Sequence, residues 1–117
     1  METILLIFAF TLLSGAGDAI GFVHAGRVWT DGGFNGFEAL KSCLGFQFGT
    51  VMYWFAVRHL TAYGVVAPEV QTLLWLAATI IGIAALSGNF IRWPWVDQAA
   101  GVGVVLGICW LMVRTAR

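Results

Sequence analysis

Ser14-Gly15-Ala16-Gly17-Asp18-Ala19-Ile20-Gly21 places one carboxylate among small residues, inside an otherwise apolar segment covering residues 4–25. A carboxylate within a membrane-spanning helix costs a few kcal/mol on insertion scales, so such residues are rare and face a protein interior or a watery cavity. The glycines and alanines around Asp18 remove side-chain bulk and let another helix or a ligand come close. Asp18 is therefore the candidate functional group, and the remaining sequence is read for what it offers that carboxyl.

Of the 117 residues, 60% are hydrophobic and only 10% are charged. A soluble domain carries about 25% charged residues, so this chain, with a mean hydropathy of +0.87, lacks the polar surface to stay in water and reads as a membrane protein. Six acidic and six basic residues cancel, leaving no basic stripe for nucleic acid. Cys43 and Cys109 lie in apolar segments without metal or redox spacing and read as small buried hydrophobes. Residues 1–4 contain no Lys or Arg; without the positive n-region of a secretory signal, the first apolar run reads as a retained helix.

A spanning helix needs roughly 20 mostly apolar residues. Four stretches qualify, at about 4–25, 39–57, 65–86 and 96–113. The first link, 26–36, is rich in glycine and polar residues and holds Trp29; the second is the short run 60–64, after Arg58 and His59. Residues 87–92 read as a turn, and Trp93-Pro94-Trp95 suits an aromatic belt with Pro near a helix start. The expected fold is an all-α membrane protein: one domain over 1–117, a four-transmembrane-helix up-down bundle with both termini on the same side. The expected location is a bacterial inner (plasma) membrane, as a multi-pass protein. In that topology Arg58, Arg114 and Arg117 lie on the side of the termini and Arg27, Lys41 and Arg92 on the other. The Lys/Arg bias that normally fixes orientation is therefore absent. Copies could insert both ways and pair antiparallel; alternatively a partner or the N-terminal amine sets the orientation.

Few polar residues lie within the spans. At 1.5 Å per residue, Asp18 in the first helix and Gln47 in the second fall roughly 10–12 Å from the same loop side, so by depth they could meet. Ser14, Gly21 and Ala25 share a helix face with Asp18. As a functional group Asp18 is a protonation or cation site, because burial favours the neutral acid and a nearby cation favours the carboxylate. As a structural group it hydrogen-bonds Gln47 or a neighbouring chain. Glu69 follows Pro68 at the start of the third helix, where the macrodipole favours an acid; its depth also makes it a possible second acid. Gln71, Thr72 and Thr79 read as interhelical hydrogen-bond partners, Arg58 and His59 as interfacial residues, and His24 as an interfacial residue or a pH-sensitive gate. No cluster has metal-ligand spacing and no nucleophile stands beside a base, so neither a metal, a cofactor nor enzyme chemistry is expected. Gly45 and Gly49 in the second helix, and Gly103 and Gly107 in the fourth with Gly101 before them, form Gly-xxx-Gly steps of the kind found where helices pack closely or dimerise.

Four short helices, an acid in the first and a glycine-bearing fourth together resemble the small multidrug resistance transporters of the drug/metabolite transporter superfamily. Asp18-Ala19-Ile20-Gly21 occupies the place of that family's first-helix glutamate, which precedes a similar small-apolar-Gly step. The third loop and fourth helix, residues 88–98 followed by 99–107, are similar to the superfamily's closing half. The family's third helix carries a Trp facing the site; here Val70 falls near that position and Trp75 lies more than a turn later. The resemblance implies an antiparallel homodimer that exchanges protons for a cationic or small polar substrate by alternating access.

Two functions from different classes follow. In one, the chain is a small proton-coupled antiporter with Asp18 as the shared proton and substrate site, Gln47 and Tyr53 lining the cavity and Glu69 as a second acid. In the other it is an accessory subunit of a larger multi-subunit membrane complex; six Trp and nine Phe give it bulky faces for docking, and Asp18 is a structural group. A small-ion channel ranks below both, because no ring of carbonyls or like charges is evident.

Overall fold

Glycine and proline punctuate the helices. The computed structural model describes residues 1–115, which form α1 (Glu2–Ala25), a 3-10 turn (Thr30–Gly32), α2 (Gly36–Tyr63), α3 (Pro68–Ser87), the short α4 (Asn89–Arg92) and α5 (Trp95–Thr115). No strand occurs among the described residues, so the all-α expectation holds. Arg117, one of the cations assigned to the terminus side, lies outside the described residues.

Several boundaries differ from those expected. Asn35 caps α2, its side-chain oxygen accepting from the backbone N–H of Phe37 (3.2 Å) and Glu38 (3.1 Å). The helix then continues past residue 57 to Tyr63, because nothing in residues 58–63 opposes it. It stops at Gly64, whose φ of +102° is the left-handed conformation that glycine adopts without strain. α3 begins at Pro68 rather than at 65. Proline suits the first helical turn, and the residue before it, Ala67, is extended. Residues 89–92 form a helical turn whose carbonyls are gathered by one side chain: the Gln98 amide donates to the carbonyls of Phe90, Ile91 and Trp93 at 3.0–3.1 Å.

Among the described residues, α1 and α3 are long and apolar enough to cross a membrane. α2, at 28 residues, is longer but less apolar, with charged residues toward both ends. The apolar run of α5, Trp95–Leu111, is shorter.

α1 is the central helix, flanked by α2 on one side and α3 on the other, while α2 and α3 scarcely touch. The reason lies in the small-residue stretch. Residues two apart on a helix point in nearly opposite directions, and those four apart share a face. Gly17 and Gly21 therefore make one face and Gly15 and Ala19 the other. The first meets Gly45 and Gly49 of α2 so closely that a Cβ on Gly17 would lie 2.8 Å from the Gly49 nitrogen, and one on Gly45 2.7 Å from that of Gly21. The second meets α3: a Cβ on Gly15 would lie 2.7 Å from the Ala78 backbone, and one on Gly82 2.9 Å from the Ala19 Cβ. The glycine contact between α1 and α2 is flanked by buried hydroxyls, Ser14 donating to the Gly49 carbonyl and Ser42 to that of Gly21, each at 2.8 Å. As residue numbers rise in α1 they fall in α2, so these helices are antiparallel. In the α1–α3 seam both rise together, so those helices are parallel. α5 rests against α3 and the α4 hook.

Candidate functional site

Asp18 lies midway around α1 between the face that meets α2 and the face that meets α3, by the same roughly 100° per residue. Its side chain must enter the crevice that those two helices leave open. There the residue is 5% exposed, and its carboxylate accepts a hydrogen bond from the indole N–H of Trp75 on α3. A Cβ on Gly49 would collide with the carboxylate, so the glycine step of α2 serves two purposes: helix contact and room for the acid.

The crevice opens as a cavity of about 400 Å³, lined by Asp18, Phe22, Phe46, Thr50, Tyr53, Thr72 and Trp75. That volume lies within the range of about 300–1,000 Å³ usual for small-molecule sites. Tyr53 and Trp75 meet edge to face at 6.3 Å, and Phe22 and Phe46 at 4.9 Å. The Thr50 hydroxyl donates to the Phe46 carbonyl (2.9 Å) and that of Thr72 to the Pro68 carbonyl (2.7 Å). Their protons are thus committed to their own helices, and only oxygen lone pairs remain to offer a ligand. No Lys, Arg or His is among the lining residues. One carboxyl, acceptor oxygens and four aromatic rings line the cavity; in general a carboxylate neutralises positive charge and ring faces attract it.

The other expected site residues fall in different places. Tyr53 lines the cavity. Gln47 is exposed, and its meeting with Asp18 does not occur: with Gly45 and Gly49 turned toward α1, a residue two positions from each must point away. Glu69 is exposed as well, nine residues and hence about half a turn from the face that Ala78 presents to α1. Gly45 and Gly49 pack within the chain. Gly101 lies under the α4 hook, 3.2 Å from a Phe90 ring carbon for an added Cβ, whereas Gly103 and Gly107 meet nothing within 4 Å. Cys43 is exposed rather than buried.

Of the expected interhelical partners, Gln71 donates to the Val65 carbonyl (2.8 Å) and the Thr61 hydroxyl (3.3 Å), tying α3 to the end of α2. Thr72 bonds its own helix, and the buried Thr79 hydroxyl finds no partner among the described residues.

Trp75 is the residue that sequence reasoning left out of the site. Its signal was available: it lies three residues before Ala78, on the flank of the α3 face that meets α1, and its indole is long enough to bridge the gap between parallel helices. Phe22, Phe46 and Thr50 were likewise unassigned, and Thr72, read as an interhelical partner, lines the cavity instead.

At the loop end of the α1–α2 seam, His24 Nδ1 lies 2.6 Å from Glu38 Oε2, and Lys41 Nζ lies 3.2 Å from Glu38 Oε1. The hydrogen bond from His24, followed by that from Lys41, holds the Glu38 carboxyl below its ordinary value. His24 thus closes an ion cluster at the end of α1 and is not part of the Asp18 cavity.

No family model matches the chain, and no curated protein or solved structure matches it.

Proposed function

We propose that this chain is a small membrane transporter that exchanges protons for a cationic or small polar substrate at Asp18. The observation that carries the reading is a buried aspartate in an apolar helix, facing an aromatic-lined cavity to which the described residues bring no cation. An acid so placed is neutral when protonated and neutralised when a cation enters. Proton and cation therefore compete for one pair of oxygens, and a bound cation leaves only when it is replaced. Trp75 donates to the carboxylate and orients it toward the cavity.

In this reading α1, α2, α3 and α5 all cross the bilayer as an up-down bundle with both termini on one side, and the working unit is a homodimer. The tie between cations on the two sides favours antiparallel copies. The open glycines of α5, Gly103 and Gly107, suit contact with a second copy. The accessory-subunit reading would set a different protein there, and particle size after mild extraction separates the two. The functional test is pH-gradient-driven flux of a cationic aromatic dye in proteoliposomes. Asp18→Asn is expected to abolish it while the protein stays folded.

A further inference from the structure

A second large cavity lies beside the contact between α3 and α5. It is a groove of about 1290 Å³ between the end of α1, the last two turns of α3, the α4 hook and α5. Its size exceeds the range of about 300–1,000 Å³ typical of small-molecule pockets. Its walls are aliphatic and aromatic, and its charged lining residues are Arg27 and Arg92. Among the described residues, neither guanidinium forms an ion pair or a side-chain hydrogen bond and no carboxylate lines the groove.

Both arginines belong to the loop end, Arg27 just past α1 and Arg92 closing α4. The apolar wall continues along α3 from Ser87 back to Ile80, about 10 Å of helix. The groove is thus amphiphilic along its length, with cations at one end and hydrocarbon at the other. The cationic end is also pre-formed. Gln98 collects the carbonyls of the hook that carries Arg92, and Phe90 and Trp93 pack at 5.5 Å over Gly101, the small residue that makes room for them.

We infer that this groove binds an anionic phospholipid, its phosphate held by Arg27 and Arg92 and its acyl chains lying along α3 and α5. Paired guanidinium forks match phosphate oxygens better than any other side chain, basic pockets between membrane helices are lipid-headgroup sites, and Trp93 suits the headgroup level. The inference rests on the membrane-inserted reading of the chain but not on transport.

The test is native mass spectrometry of the full chain in detergent, titrated with phosphatidylglycerol, with phosphatidylcholine of the same chains, with dihexanoyl phosphatidylglycerol and with inorganic phosphate. Long-chain phosphatidylglycerol is expected to bind roughly tenfold or more tighter than phosphatidylcholine. Arg27→Gln with Arg92→Gln, both exposed positions, should erase that preference, and Arg27→Lys with Arg92→Lys should retain part of it. Equal affinity for the two lipids, or an unchanged preference in the Gln variant, would overturn the assignment. Dihexanoyl lipid binding as tightly as the long-chain form, or inorganic phosphate displacing the lipid at similar concentration, would reduce the groove to an anion site and overturn it too. Lipid adducts on the monomer but not on a dimer would give the groove to a second copy instead. Asp18→Asn should bind phosphatidylglycerol as the unaltered chain does, so loss of flux and loss of lipid binding are separately readable.

Discussion

Helices α2 and α5 carry the same Gly-xxx-Gly spacing and use it in opposite ways. In the first, Gly45 and Gly49 meet Gly17 and Gly21 in register, and the backbones come near enough for Ser14 and Ser42 to bond the facing carbonyls. In the second, Gly103 and Gly107 are exposed and meet nothing within 4 Å; Gly101, Val102, Val104, Val105 and Leu106 are the α5 residues that line the groove beside α3, so this glycine step lies off that seam. The glycine step is only half of an interface. It closes where a facing helix offers small residues at matching depth, as α1 does for α2, and it stays open on a helix face that no other helix among the described residues covers.

The sharpest way to break this contrast is to add one methyl group to each glycine step. Gly49→Ala drives a Cβ into the Asp18 carboxylate and is expected to destabilise the fold by about 1–3 kcal/mol. Gly107→Ala meets nothing among the described residues and should leave the stability of the monomer within about 0.5 kcal/mol. Thermal unfolding in one detergent orders the two, and equal effects would refute the packing difference. Removing the hydroxyl stitches sharpens it further: Ser14→Ala and Ser42→Ala should each cost about 0.6 kcal/mol, the average for interhelical hydrogen bonds in membranes, and a double-mutant cycle should show them near additive because they flank the glycine contact on opposite sides.

The ion cluster at the loop end gives a smaller, pH-dependent effect. Glu38 is held below its ordinary value in the folded chain, so its contribution is fully present above the unfolded value and disappears as pH falls through the depressed folded one. The difference in melting temperature between the unaltered chain and Glu38→Gln should therefore be seen at neutral pH and vanish in acid; a difference that grows in acid would contradict the cluster. The smallest effect is expected at Thr79, whose buried hydroxyl has no partner among the described residues. Replacing it with the similarly shaped Val should be neutral or slightly stabilising.

Much of the fold was legible because helices leave strong traces. Apolar runs located the long helices, and Asp18 stood out as an acid among small residues. Boundaries were less legible where charge was read as a stop: Arg58 and His59 continue α2, and the conformation available to Gly64 ends it. The site was half legible. Depth along the bilayer paired Asp18 with Gln47, but depth says nothing about rotation about the helix axis. Gly45 and Gly49 fix that rotation and turn Gln47 outward while Thr50 and Tyr53 enter the cavity. Trp75 was missed for a related reason, since the family resemblance put the site-facing position near Val70, whereas the face shared with Ala78 and Gly82 puts it at Trp75.

The most direct test of the central claim is pH-gradient-driven flux of a cationic aromatic dye in proteoliposomes containing either the unaltered chain or Asp18→Asn. Asn keeps the size of the side chain and can still accept from Trp75, but it can neither bind a titratable proton nor neutralise a cation. Gradient-dependent flux in the unaltered chain, lost in a variant that melts within a few degrees of it, is the predicted result. Equal gradient-dependent flux from both proteins would contradict the account.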